Sequence, residues 1–324
     1  MSDLSPIGTD LIPPASWVAE RAAADGPVAD AAHRPAWSGV GPLVQLCLAL
    51  MAAHPGLRRL AYRTFFQVLA RRSQDAAWWT CMNYGYAPCD GPPGDAPMPP
   101  RAGAEAAERT SLQLYDHVAA AVPLAGREVL EVGCGRGGGA AFLCRHHGVA
   151  RVTGLDVAGA AIAFCRRVHR LPGLSFAQGD AENLPFEAAT FDAVVNVEVS
   201  FCYGDFDRFL AETYRVLRPG GHLLFADLRL TSEVGALRRS LARSGFALRS
   251  SEDITRNVLR ALEIDNERRV RACDRNVPRP LRGLMRFFVG AAGTRIPLFL
   301  ADGRMRYLCF ALRKPALSAA TRAA

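Results

Sequence analysis

The chain reads as an α/β protein built on a doubly wound, mostly parallel seven-stranded sheet, and three observations point there. Short apolar runs recur at 129–132, 151–155, 174–178, 192–197 and 222–227, the signature of strands covered on both faces. Segments with helical spacing of apolar residues separate most of them, and such alternation implies parallel strands joined by crossover helices. The first strand also stops at an acid and opens into a glycine loop, running from Val129, Leu130, Glu131 and Val132 to Gly133, Cys134, Gly135, Arg136 and Gly137.

Taken in chain order, residues 1–38 are rich in Ala, Pro and Asp without a period, which predicts a poorly ordered arm. Residues 39–104 form a helical N-terminal extension ending in a linker. In it Leu43, Leu46, Cys47 and Leu50 share one helical face. After Pro55 come Leu60, Phe65, Phe66, Val68 and Leu69, edged by Arg58, Arg59, Arg63, Arg71 and Arg72. A basic amphipathic pair of this kind suits a hairpin packed on the main domain or a helix lying on a membrane surface, and a lid over an apolar ligand is compatible with both. An aromatic stretch from Trp78 to Tyr86 leads into the Pro/Gly-rich linker Pro88 to Pro100.

The main domain spans 105–314. A leader helix covers 105–121 and carries Gln113, Tyr115 and His117; further helices are expected at 138–147, 158–168, 205–217 and 232–244. A sixth strand lies near Phe246–Arg249 and the last covers 306–312. Between them, 254–303 is too long for a plain connection. Val258, Leu259, Leu262 and Ile264, then Leu281, Leu284, Phe287 and Phe288, recur there at helical spacing, predicting a helical cap inserted before the last strand. Residues 315–324 are a tail.

Composition bounds the partners. The formal charge is +8 and Lys314 is the single lysine, so the basic character is almost wholly arginine. Spread along the chain without interleaved aromatics, these arginines do not suggest nucleic acid. They suit a solvated surface, or attraction to an anionic membrane or an acidic carrier protein. The nine cysteines lack C-x-x-C spacing, so reduced core thiols in the cytoplasm are expected, and no metal site. The first fifteen residues have no secretory pattern, and the longest apolar stretch, 40–53, is too short to span a bilayer.

The glycine loop announces a nucleotide-like ligand, because its backbone allows close approach and the next helix points free N–H groups at it. Gly133, Gly135 and Gly138 also satisfy the G-x-G-x-x-G pattern of nicotinamide dehydrogenases. Glu131 argues against that reading, since a carboxylate two residues before the first glycine suits a cationic ligand better than a pyrophosphate. Asp156, ending the second strand, is placed to accept from ribose hydroxyls under either reading. A further strand ends in Gly179, Asp180, Ala181 and Glu182, followed by Asn183, Leu184, Pro185 and Phe186.

With Phe191 to Asn196 and Val216 to Leu224 in the same order and spacing, the chain resembles the class I S-adenosylmethionine-dependent methyltransferases from about Trp79 to Lys314. It is similar above all to the branch of the quinone C-methyltransferases and natural-product O-methyltransferases. Gly137 to Gly139, His169 to Leu174, Gly179 to Phe186 and Asn196 to Tyr203 most resemble the phthiotriol/phenolphthiotriol dimycocerosate methyltransferases. The resemblance implies a Rossmann-like fold with S-adenosyl-L-methionine as cofactor. It places Glu131, Gly133, Cys134 and Gly135 at the methionine end, Asp156 and Val157 at the ribose, and Asp180, Ala181 and Glu182 at the adenine. Asn196 would offer its backbone carbonyl near the sulfonium and Tyr115 a contact from the leader helix. Tyr84, Tyr86, Ser200, Phe201 and Tyr203 would line the acceptor pocket.

One departure matters for the chemistry. Where the resembled branch carries Ser-His-Cys-Tyr, this chain has Ser200, Phe201, Cys202 and Tyr203, so the histidine that would take a proton is missing. Glu198 and Asp227 are then the candidate bases, with pairing to Arg136 or Arg229 as their structural alternative, or no base is needed, as for a carboxylate, ionised phenol, amine or activated carbon acceptor. The expected activity is methylation, most readily at oxygen, of a bulky apolar acceptor such as a polyketide or lipid-like hydroxyl, free or carrier-bound, by a chain that is a candidate homodimer. Carbon or nitrogen methylation, or a cofactor-binding homologue without methyl transfer, are the alternatives.

Overall fold

The computed structural model describes residues 54–89, 104–279 and 282–316. The expectations for the arm, the first helix of the extension, most of the linker and the end of the tail lie outside these residues.

The strands are β1 (Glu128–Val132), β2 (Arg151–Asp156), β3 (Leu174–Gln178), β4 (Phe191–Val197), β5 (Leu217–Leu230), β6 (Ala247–Asp253) and β7 (Met305–Arg313). They form one seven-stranded sheet in the order β3-β2-β1-β4-β5-β7-β6. The β3 to β5 half is parallel, and β7 inserts antiparallel between β5 and β6. β5 and β6 are longer than the sequence indicated, because β7 pairs with β5 as far as Leu230 and with β6 as far as Asp253.

The helices are α1 (Pro55–Arg72), α2 (Ala104–Ala107), α3 (Arg109–Ala119), α4 (Gly138–His146), α5 (Gly159–Val168), α6 (Phe206–Val216), α7 (Thr231–Arg243), α8 (Thr255–Asn276), α9 (Arg282–Phe288) and α10 (Arg295–Ala301). The single leader helix of the sequence reading is broken at Glu108. Its carboxylate is turned inward to accept from the Thr80 and Cys81 backbone N–H groups at 2.7 and 2.8 Å. Helices α8, α9 and α10 fill the interval between β6 and β7, as the spacing of apolar residues in 254–303 implied. Among the described residues, no helix is long and apolar enough to cross a membrane.

Strand alternation divides the core into two layers. Val129, Val152, Val195, Ala226 and Tyr307 face α3, α4, α5 and α8 on one side, whereas Leu130, Val132, Leu155, Phe225 and Phe310 face α6 and α7 on the other. Because β2 and β4 flank β1 on opposite sides, the strand order reverses there. A crevice therefore opens at the carboxyl ends of β1 and β4, the usual place for a ligand in such sheets.

Candidate active site

Alternation along β1 sends Glu131 to the same side as Val129, beneath α4 and beside Tyr115 of α3. The residue is 1% exposed and neither carboxylate oxygen has a hydrogen-bond partner. The Tyr115 hydroxyl and the Ala140 N–H lie near enough to favour the anion without making a well-formed bond. Burial outweighs them and pushes the carboxyl up to about 7. A methyl group on Gly139 would collide with both the Tyr115 ring and Glu131, so only glycine fits there. A buried carboxylate with no partner is costly to ionise, and a cationic ligand group would supply what is missing.

The loop that follows is tied to β2. Gly133 and Cys134 donate N–H groups to the Leu155 carbonyl at 2.7 and 2.9 Å. Gly135, at φ 52°, turns its N–H onto Asp156 Oδ2 at 2.9 Å, and Ala158 donates to Oδ1 at 2.8 Å. Each Asp156 oxygen thus makes one backbone bond and keeps further acceptor capacity for hydroxyl groups. Burial raises its carboxyl to about 6. Val157 is half-buried beside it, its carbonyl accepting from Gln178 Nε2 at 3.2 Å. Left-handed Gly137, φ 78°, ends the loop and starts α4; the helix's first N–H, that of Gly138, is not free as the glycine loop led one to expect but donates to the Thr80 carbonyl at 3.2 Å.

Asp180, Ala181 and Glu182 lie at the end of β3. Glu182 Oε1 accepts from the Gly204 N–H at 2.7 Å and its own N–H donates to Asp180 Oδ1 at 3.0 Å. Arg59 reaches down from α1 to pair with Asp180 and, at 3.4 Å, with Glu182, and so holds the position expected for an adenine amino group. Phe66, Leu69 and Ala70 of α1, with Met82, close over Gly135 and Asp156 and leave a space of about 20 Å³. A ligand of nucleoside size needs roughly 300 Å³ or more, so the structure shows the crevice with α1 seated in it.

At the end of β4, Asn196 is fully buried. Its side-chain amide donates to the Val132 carbonyl at 3.0 Å and to the Tyr203 hydroxyl at 2.8 Å, while Oδ1 is left without a partner. Continued alternation would point Glu198 to the Asn196 side. Its backbone is instead left-handed, φ 53°, and the carboxylate turns toward residues of the opposite layer. There Oε2 accepts from the Tyr84 N–H at 2.8 Å and the Tyr307 hydroxyl at 3.0 Å. Burial pushes the Glu198 carboxyl up to about 8, against the opposing pull of those two bonds.

Asp227 has a different setting. It is fully buried, accepts from Ser200 Oγ at 2.6 Å, from the Phe201 N–H at 3.2 Å and from the Leu228 N–H at 2.8 Å, and pairs with Arg229 at 3.1 Å. Ser200 is the bridge between Asp227 and Arg229, which it also meets directly. Asp227 is thus the structural partner of Arg229, and neither Arg229 nor Arg136 holds Glu198. Arg136 is occupied elsewhere, donating to Trp79 O, Ser73 Oγ, Ser73 O and Ala76 O and so anchoring the segment after α1.

Aromatic rings gather where α1 meets Phe201 and the end of α9. Tyr84 donates its hydroxyl to the Phe288 carbonyl at 3.2 Å, the Phe288 ring lies 5.3 and 5.9 Å from Phe65 and Phe66, and Tyr62 meets Phe201 edge-on at 5.6 Å. Tyr86 is placed apart, stacked at 4.2 Å on His117, which bonds Glu252 of β6.

Residues 130–225 match the family described as Methyltransferase domain. The chain is 42% identical over 221 residues to the phthiotriol/phenolphthiotriol dimycocerosates methyltransferase of Mycobacterium leprae (strain TN), covering 68% of this chain and 82% of that one. It belongs to the S-adenosylmethionine-dependent methyltransferases. A fatty-acid O-methyltransferase of Mycolicibacterium smegmatis is 43% identical over 201 residues, 62% of this chain and 72% of that protein.

Solved structures share the methyltransferase's fold. The geranyl diphosphate C-methyltransferase of Streptomyces coelicolor A3(2), with magnesium, geranyl diphosphate and S-adenosyl-L-homocysteine, superposes with TM-score 0.56 at 18% identity, covering 79% of this chain and 97% of that one. The (4+2)-cyclase SpnF gives 0.58 at 24% identity, covering 78% and 94%.

S-adenosylmethionine is accordingly the cofactor, and the residues present fit it. The donor's cationic end matches the unpartnered Glu131 carboxylate, and its ribose matches the spare acceptor capacity of Asp156. Four site residues were not legible beforehand. Arg59 and Met82 sit on an extension whose docking no spacing reveals. Tyr307 was hidden among apolar neighbours in β7, and its signal was a lone hydroxyl in a buried strand. Arg269 donates to the Asn83 and Tyr84 carbonyls at 3.2 and 3.1 Å and to Asp265 at 3.0 Å. Its i,i+4 spacing from that acid was the available clue.

Proposed function

We propose that this methyltransferase O-methylates a bulky, mainly apolar acceptor, a lipid- or polyketide-like hydroxyl in secondary metabolism, with Glu198 taking the hydroxyl proton. The observation that carries the reading is Glu198 itself. It is a carboxylate raised to about 8, bonded by Tyr84 and Tyr307, and Tyr84 in turn bonds Phe288, whose ring packs on Phe65 and Phe66. Two relatives named for phthiotriol dimycocerosates and fatty acids support an apolar, oxygen-bearing acceptor.

When bound, the cofactor supplies an electrophilic methyl group for in-line displacement. The chain's residues do the rest. Glu131 and Asp156 fix the donor, the aromatic residues exclude water and orient the acceptor, and Glu198 receives the proton through its free oxygen. A general base matched to neutral pH needs a value near 7 to 8, which an ordinary carboxylate lacks and a buried one attains. Asp227 is the weaker candidate, because Ser200, Arg229 and two backbone N–H groups already hold it. The acceptor arrives free or on a carrier protein.

The test is to incubate the full chain with methyl-labelled S-adenosylmethionine and a set of acceptors: a long-chain secondary alcohol, a fatty acid, a quinol and a small polar amine. Label recovered as a methyl ether or ester of the apolar oxygen acceptors is the expected result. Label on the amine alone, or on no acceptor despite cofactor binding, overturns the proposal.

A further inference from the structure

Among the described residues, eight large apolar side chains are strongly exposed, and five of them lie on two short stretches: Leu57, Leu60 and Val68 on α1, Leu284 and Phe287 on α9. The same two helices contain seven arginines and not one Asp, Glu or Lys. Exposed leucine and phenylalanine gathered on acid-free, arginine-rich helices is not the pattern of a merely solvated face, where apolar residues are scattered singly.

Helical spacing explains how α1 serves two surfaces. Tyr62, Phe66 and Ala70 point inward to Phe201, Phe288 and α5. On the opposite side Leu57, Leu60, Thr64 and Val68 follow one another at i, i+3, i+7 and i+11, a single outward stripe. Leu60 is 59% and Val68 45% exposed, and Arg63, Arg71 and Arg72 border the stripe, exposed and with no carboxylate partner among the described residues. The remaining arginines are engaged: Arg58 with the Tyr203 carbonyl, Arg59 with Asp180 and Glu182, Arg282 with the Val277 and Asp274 carbonyls, and Arg286 with the Asp274 carboxylate. The contacts of Phe65 and Phe66 with Phe288 bring the end of α9, the short helix that carries Leu284 and Phe287, against the flank of α1.

From this arrangement we infer that the outer face of α1, with α9, docks on the surface of an anionic lipid bilayer. A bilayer interface offers what the face demands, an apolar layer at shallow depth for the leucines and phosphate oxygens above it for the arginines. Arginine stems extend along such an interface while the guanidinium stays with the headgroups. A second copy of the chain is the poorer fit. A two-fold contact would bring the uncompensated Arg63, Arg71 and Arg72 of both copies together without an acid between them. The docking face is the back of the helix that covers the crevice, so a bilayer-bound α1 stands between lipid and the Glu198 site. Delivery of an apolar acceptor by that route rests on the O-methylation reading above; the docking itself does not.

The experiment is flotation of the full chain with vesicles of phosphatidylcholine alone and of phosphatidylcholine mixed with phosphatidylglycerol, read as protein recovered with lipid. The expected result is recovery with the mixed vesicles, falling as salt is added. Each free arginine near an anionic surface is worth roughly fivefold in affinity, so Arg63→Glu with Arg71→Glu should lower binding by at least about 25-fold. Leu60→Glu with Leu284→Glu should abolish it, while both double variants keep the parent's circular dichroism and its affinity for S-adenosylhomocysteine. The inference is overturned if the chain stays unbound in both vesicle types, or if the double variants float like the parent. A dimer that Leu60→Glu converts to monomer, with no vesicle binding, overturns it in favour of self-association. Because methyl transfer is not the readout, failure here leaves the O-methylation proposal standing, and failure there leaves this one.

Discussion

Replacing Tyr307 by Phe removes one hydrogen bond from the ionised Glu198 and leaves the ring in place. A bond to a charged acceptor is worth about 1.5–3 kcal/mol, which at 1.36 kcal/mol per unit raises the Glu198 value by roughly one to two units. The sign follows from which form loses its partner: the anion is penalised, so the carboxyl holds its proton to higher pH. With Glu198 near 8 in the parent, the rate on a hydroxyl acceptor should climb about tenfold per pH unit below that value and level above it. In Tyr307→Phe the rise should continue to about pH 9 or beyond, so the loss is about ten- to a hundredfold at pH 7 and small at the alkaline plateau. Glu198→Gln should lose about a hundredfold or more on the parent's alkaline plateau, with the slope gone, so that its deficit shrinks as pH falls. Initial rates of label transfer from methyl-labelled S-adenosylmethionine to a long-chain secondary alcohol, taken across this range, measure all three. A Tyr307→Phe variant slowed equally at every pH would refute the reasoning, as would a Glu198→Gln variant that keeps the parent's profile.

Arg136→Lys cannot reproduce the guanidinium's four bonds to Ser73, Ala76 and Trp79, and should destabilise the protein by about 2–4 kcal/mol, seen as a melting point lowered by about 3–6 °C; an unchanged melting point contradicts the anchoring role. Arg59→Ala frees Asp180 and Glu182, but Arg59 is 43% exposed and such a pair is worth under about 1 kcal/mol, so calorimetric affinity for S-adenosylhomocysteine should rise no more than about fivefold. Weaker binding would instead make Arg59 part of the cofactor site. Glu131 and Glu198 hold more protons folded than unfolded, so the ligand-free protein should lose stability as pH rises from about 6.5 to 8. That window lies above the range where His169 and His222, both lowered, act in the opposite sense. Scanning calorimetry showing a melting point that rises across it would contradict the burial of these two acids.

Much of the fold was legible because periodicity and loop chemistry agreed. Continuous apolar strands, helical intervals and the glycine loop at Gly133 each follow from local sequence, and together they locate the crevice. The acids at the ends of β1, β2 and β3 were legible for the same reason, since a strand's end is fixed by where its apolar run stops. What escaped was set by tertiary docking. Nothing local tells that α1 lays Arg59 on Asp180, or that the positive φ of Glu198 turns it from the Asn196 side toward Tyr307. The missing histidine at Phe201 was visible, but its meaning depends on contacts spread across three parts of the chain: Tyr84 before the domain, Glu198 beside Phe201, and Tyr307 in the last strand.

The claim on which the rest turns is that the cofactor's cationic end completes the buried Glu131 carboxylate. Near pH 7 that group is about half protonated in the ligand-free protein, so binding should expel about half a proton. Titration calorimetry of S-adenosylmethionine in buffers of different ionisation enthalpy reads this number directly. Release near that value is expected in the parent, and its disappearance in Glu131→Gln. Heats that are identical in every buffer, or a release that survives the substitution, would contradict it.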